Sequence, residues 1–225
     1  MSSELNLNKS VSVSDALALS TAQAILDADA FLVSVNNPFR LTSGLLAPFY
    51  INCRQILSNP SARASIGDGL SDAIRSLGAE TIAGGVTAGV PYATMVAERL
   101  KLPLVYVRPE PKDYGTGGQI EGGNIEGQHV VLVEDLITTA TSVMNFSSVL
   151  RSANAKVNHV VVVFSRVTES ATSKLIGANI KLTSLCELEC LLTVSYNSGR
   201  INEAELSAVR SFLDDPEKWS ENNKS

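Results

Sequence analysis

Two adjacent carboxylates, Glu134 and Asp135, follow four apolar residues, Val130 to Val133, and precede a hydroxyl-rich stretch from Leu136 and Ile137 to Ser142. A run of that kind suits a central parallel strand, and open α/β sheets receive their ligands at the carboxyl ends of such strands. Acids there accept hydrogen bonds from vicinal hydroxyls. Thr138, Thr139, Thr141 and Ser142 offer hydroxyl and backbone N–H donors at the start of a helix, where the dipole favours an anion. The chemistry this spacing points to is recognition of a sugar phosphate, with one end gripping a ribose and the other its phosphate. The alternative is structural: the two acids end a strand and cap the helix from Thr141 to Leu150.

Two further segments carry chemistry. Gly84 to Pro91, which includes Thr87 and Ala88, follows a strand and leads into a helix. Several backbone N–H groups can converge there on one anion, although glycines also serve ordinary strand-to-helix turns. Residues 108–122 form a polar loop with four glycines between 115 and 122, longer than a connector needs, which points to a mobile lid. Lys112 is its natural working residue, able to neutralise a diphosphate leaving group as charge accumulates; the alternative is a solvated lysine on a loose loop.

The elements that must position these residues alternate. Residues 14–28 read as a helix capped at Ser14 or Asp15. Phe39–Thr42 and Pro48–Asn52 read as two short strands joined by a turn, a small hood beside the main sheet. A helix from Pro60 to Gly78 follows. Then come strand Thr81–Gly84, helix Val90–Leu100, strand Leu104–Arg108, the lid, strand His129–Asp135, helix Thr141–Ala153, strand Val157–Arg166, a helix around Ser170–Gly177 and strand Lys181–Cys186. That alternation predicts an α/β fold whose mostly parallel sheet is covered on both faces. A final helix near Asn202–Phe212 precedes a polar tail whose single Trp219 tucks back and whose last residues are disordered.

At 225 residues and 44% apolar content, the chain can bury one α/β core. A single domain over 1–225 is expected, with a hood at about 20–58, a core at about 59–195 and a C-terminal helix and tail at 196–225. A net charge of −5 argues against a broad nucleic-acid-binding face but leaves room for a local anion site. Cys53, Cys186 and Cys190 suit a reducing cytoplasm rather than a disulfide framework. Cys186 and Cys190, four apart, read as helix neighbours that pack, because no nearby histidine completes a zinc site. No apolar run reaches membrane-spanning length and no secretory leader is evident, so neither secretion nor a membrane partner is expected.

Taken together, the motifs resemble the type I phosphoribosyltransferases, and among them those that act on orotate. Phe39 to Gly44 with Pro48 to Asn52 and Arg54 is similar to that group's base-side hood. Gly84 to Pro91 is similar to its pyrophosphate loop, Lys112 to Thr116 with Glu121 and Gly122 to its catalytic lid, and Val133 to Ser142 to its phosphoribosyl pyrophosphate (PRPP) motif. The resemblance covers about residues 20–195 and implies transfer of a phosphoribosyl group from PRPP to orotate, with Mg²⁺ held mainly by the substrate and no metal site built from protein ligands. It implies catalytic roles for Lys112, Asp135 and Arg108. PRPP would also meet Glu134, Leu136, Ile137, Thr138, Thr139, Ala140, Thr141, Ser142, Thr87, Ala88 and Tyr114, and orotate would meet Thr42, Tyr50, Ile51, Thr138 and Arg166. It further implies a homodimer whose lid, with Arg108 and Lys112, reaches the partner's site. Two departures stand out: Pro109 where many members carry lysine, and Ala140 where the turn normally has glycine. If residue 140 needs positive φ, alanine costs about 1 kcal/mol there. Those departures motivate two other readings, a catalytically weak nucleotide-binding or regulatory paralogue and an enzyme for another base; the hood and Arg166 argue against the latter, since a carboxylate-bearing base calls for a guanidinium.

Overall fold

The computed structural model describes residues 11–41, 43–111 and 118–224, so Thr42, Lys112 and Tyr114 lie outside the described residues. Its centre is the strand β9 (His129–Ile137), flanked by β10 (Lys156–Ser165) and β6 (Thr81–Gly85). The valine-rich runs put successive side chains on opposite faces, and both faces are apolar. Val131, Val133, Val161 and Val163 enter one core cluster, and Val130, Leu132, Val160 and Val162 the other. A strand apolar on both faces must be covered twice, which forces a layer of helices on each side.

With β1 (Val11–Ser12), β7 (Leu104–Val107), β8 (Ile120–Glu121) and β11 (Lys181–Glu187), these strands form a seven-stranded sheet in the order β1-β11-β10-β9-β6-β7-β8. Every pairing is parallel except β7 with β8. One face carries α1 (Asp15–Asp27), α2 (Pro60–Arg75) and α3 (Gly89–Leu100); the other carries α4 (Thr141–Ser152) and α5 (Glu169–Gly177). Local signals set several helix starts. The Ser14 and Thr168 hydroxyls and the Asn59 side-chain carbonyl accept from the N–H groups of Leu17, Ala171 and Ala62, with Pro60 in the first turn of α2.

The hood region differs from the sequence expectation. Phe39–Arg40 (β3) does not pair with the Pro48–Asn52 run but with Leu46–Ala47 (β4), while Phe49–Ile51 (β5) pairs antiparallel with Phe31–Val33 (β2). Pro48 separates the two ladders because it has no N–H to donate, and its carbonyl instead accepts from Ser34 N–H at 2.8 Å. The C-terminal region differs too. After β11 come α6 (Leu188–Asn197), α7 (Glu203–Asp214) and α8 (Pro216–Asn222), where only one helix and a polar tail were expected. In α8 the Asp215 side chain accepts from Lys218 N–H, and Trp219 is buried. Cys186 lies in β11 while Cys190 stands in the first turn of α6, so they are not neighbours along one helix. Among the described residues no helix is long and apolar enough to cross a membrane.

Candidate active site

The pairing of β6 with β9 runs no further than Gly84 with Val133, whereas β9 pairs with β10 as far as Ile137. From Glu134 onward β9 therefore has one open flank. The strand continues two residues past the acids rather than ending at Asp135, because β10 supplies ladder partners there. Strand alternation sends the two carboxylates to opposite faces. Glu134 lies against Gly85, where an added Cβ would overlap its carboxyl oxygen and meet the Phe146 ring of α4. Asp135 lies on the face of Cys53 and Tyr92, the tyrosine hydroxyl donating to the Cys53 carbonyl at 2.6 Å. Asp135 also accepts from Leu136 N–H at 2.8 Å.

Both acids are buried, and burial is the largest cause raising each carboxyl above its ordinary range. Asp135 next door raises Glu134 further, while the Arg54 cation opposes the rise at Asp135. A carboxyl raised in the folded state binds a proton that the unfolded chain has released. Its stabilisation is full below the unfolded glutamate value of about 4.3 and is lost as pH rises through the folded value of about 8. The melting temperature should therefore fall over that window, and Glu134→Gln should flatten the slope. Thermal melts of the two proteins across that range check this, and parallel curves would refute it.

Beyond β9 the chain turns through Thr138 and Thr139 into α4. Ala140 occupies the N-cap position at φ 60° and ψ 7°, with no side chain capping the helix. The acids therefore do not cap α4, and its first N–H groups stay available for an anion. The Thr139 and Thr141 hydroxyls lie 3.1 Å apart at this turn, and both residues are exposed, as is Ser142. The left-handed backbone that would favour glycine is indeed present, occupied by a buried alanine. Ala140→Gly should raise stability by about 1 kcal/mol, less the small loss from one buried methyl. Denaturant titration checks the sign.

The Gly84 to Pro91 loop enters α3 on the other side of the pair. At Gly89 an added Cβ would come within 2.6 Å of the Val133 carbonyl and 3.0 Å of the Glu134 carboxyl carbon, so the loop's close approach needs glycine. The Val86–Thr87 peptide is cis, and Thr87 is exposed beside a half-buried Ala88. Val86 N–H donates to the Val107 carbonyl, which sets this loop next to Arg108. Arg108 opens the 108–122 loop. Its N–H donates to the Gln119 carbonyl at 2.8 Å, and the Gln119 amide donates to the Arg108 and Pro109 carbonyls. The Pro109 carbonyl also accepts from Asn145 of α4, so the start of the loop is tied down without any donor from residue 109. Arg108 Nε is buried and has no hydrogen-bond partner among the described residues.

Arg166 follows β10 directly, its N–H bound to the Ile137 carbonyl at 3.0 Å. Its guanidinium sits 5.2 Å over the Phe49 ring, burial lowers its pKa, and among the described residues no salt bridge engages it. Tyr50 and Ile51 belong to the same short strand as Phe49, and the Tyr50 ring rests 5.9 Å from Phe39. Glu134, Asp135, the 138–142 turn, the glycine loop and the root of Arg108 thus gather at the carboxyl ends of β6, β7 and β9, with Arg166 beside them after β10. Tyr92 and Phe146 were not picked out in the sequence, and Arg54 and Phe49 entered there only as part of the hood motif; each gains its relevance from a neighbour distant in the chain. The oxygen donors here are two carboxylates and threonine hydroxyls, and among the described residues no cluster of three or more His, Cys, Asp or Glu encloses an ion. That donor set fits a hard divalent cation carried mainly by a ligand's own oxygens and water.

Residues 53–181 match the phosphoribosyl transferase domain family. The chain is 41% identical over 213 residues to an orotate phosphoribosyltransferase of Roseobacter denitrificans, covering 92% of this chain and 95% of that protein. Among solved structures, an orotate phosphoribosyltransferase from Aeropyrum pernix superposes with a TM-score of 0.68 at 33% identity, covering 80% of this chain and 99% of that one. A Leishmania donovani UMP synthase gives a TM-score of 0.76 at 26% identity over 88% of this chain but only 42% of that longer one.

Proposed function

Because the chain belongs to the phosphoribosyltransferase family, we infer that it transfers the phosphoribosyl group of PRPP to orotate, yielding orotidine 5′-monophosphate and pyrophosphate for pyrimidine nucleotide synthesis. The observation that carries this reading is the buried Glu134 and Asp135 pair opening beside an uncapped α4 start, within a chain alike over nearly its whole length to enzymes of that name.

In this reading Glu134 and Asp135 accept the ribose hydroxyls, and the 138–142 turn binds the 5′-phosphate through hydroxyl and backbone N–H groups. The Arg166 guanidinium receives the orotate carboxylate, with Tyr50 and Ile51 beside the ring. Orotate N1 then bonds to ribose C1, its proton passing to solvent, as the bond from C1 to the pyrophosphate oxygen breaks and its electron pair leaves with the pyrophosphate. Positive charge spreads over the sugar ring while negative charge gathers on the leaving group, where Arg108 and Lys112 neutralise it. Mg²⁺ arriving with the substrate would supply further neutralisation of that charge. The lid works across a homodimer, covering the diphosphate in the partner's site. A cytoplasmic setting accords with the three free thiols.

Ala140 at positive φ favours the weak-paralogue reading, while the Gln119 and Asn145 contacts to the Pro109 carbonyl accommodate the other departure. The discriminating assay follows orotate absorbance with purified protein, PRPP and Mg²⁺. Loss of absorbance that requires all three supports the enzyme, and constant absorbance under every condition sinks it.

A further inference from the structure

We propose that α8, through Trp219 and Ser220, positions the arginine that receives the acceptor base, so that two residues remote from the reacting atoms tune affinity for orotate. The inference rests on the reading that Arg166 binds the orotate carboxylate.

The connection is continuous. The Arg166 guanidinium lies 5.2 Å over the Phe49 ring. Phe49 meets Phe212 of α7 edge-on at 5.9 Å and 84°, and Phe212 meets Trp219 of α8 at 5.8 Å and 87°. Phe31 also packs against Phe49, its ring centroid 6.1 Å away. Phe49, Phe212 and Trp219 are all buried, so each ring is held by the next and has no room to turn. A second attachment is polar. The fully buried Ser220 hydroxyl accepts from Leu46 N–H at 2.9 Å, pinning β4, which precedes β5 by a single residue. Both attachments run from α8 to the orotate-side strands, and neither runs to the turn after β9.

A guanidinium recognises a carboxylate bidentately only when its plane is aimed, and the Phe49 face supplies that platform. Loosening α8 lets the platform tilt. That loss falls on the acceptor base, while the sugar-phosphate contacts made by β9 and α4 keep their geometry.

The test is steady-state kinetics of the full chain, varying each substrate in turn, with melting temperatures alongside. Trp219→Leu should raise the orotate KM about fivefold, the size of one lost aromatic or cation–π contact. Ser220→Ala should raise it about threefold through the orphaned Leu46 N–H. The PRPP KM should stay within about twofold in both, and Trp219→Phe, which keeps a ring, should restore the orotate KM. Should Trp219→Leu fold poorly, Ser220→Ala and Trp219→Phe still decide the matter. A general packing role would instead lower the melting temperature and kcat without a selective orotate effect. Arg166→Met serves as the control. If it raises the orotate KM while the α8 variants move both KM values together or neither, the inference is overturned alone; if it leaves the orotate KM unchanged, the underlying reading of Arg166 falls and takes the inference with it.

Discussion

Gly85→Ala is expected to lower kcat/KM for PRPP by about 100-fold while leaving a folded protein. The added methyl would overlap the Glu134 carboxyl and press on the Phe146 ring. Both neighbours are buried. Glu134 also abuts Gly89, and Phe146 is part of the packed core under α4. Overpacking of this kind costs about 1–3 kcal/mol of stability. The larger consequence is functional, since a displacement of about 1 Å in a positioning group can cost about 100-fold in rate. Circular dichroism and melting establish the fold, and kinetics with PRPP varied measure the effect. A folded variant within about tenfold of the parent would show that the Glu134 seat does not govern the reaction.

The second large effect concerns the lid. Lys112→Ala should reduce kcat by about 100- to 1,000-fold, the usual cost of removing one charge partner for a developing anion. Asp135→Asn should impair the sugar side of the same site. If the lid serves the partner's site, mixing the two inactive variants creates hybrid dimers in which one site combines an intact Lys112 from one subunit with an intact Asp135 from the other. Recovered activity of about a quarter of wild type then follows from random pairing of equal amounts, because half the dimers are hybrid and each holds one whole site. Mixtures that stay inactive after subunit exchange would mean that each lid serves its own subunit.

The parallel sheet was legible because its signals are local. Valine runs from Val130 to Val133 and Val160 to Val163 reveal doubly buried strands, and Ser14, Asn59 and Pro60 mark helix starts within a few residues of their effect. The chemistry at Glu134 and Asp135 and the glycine loop could be read the same way, since neighbouring residues carry it. The short strands β2 and β8 were not legible, being too brief to show a period. Nor was α8, in which one tryptophan among six mostly polar residues gives no amphipathic pattern.

What the chain alone determined is therefore the order of elements and the kind of chemistry offered at their ends. Tertiary structure decided how those groups behave. It seated Glu134 against Gly85 and buried it so that its proton is held more tightly. It pinned Leu46 to Ser220 across 174 positions, and it ran a file of rings from Trp219 to the face beneath Arg166. The division has a physical reason. Backbone preferences and capping act over three or four residues and leave a trace in adjacent letters, whereas desolvation and side-chain packing depend on which distant segments close over a group.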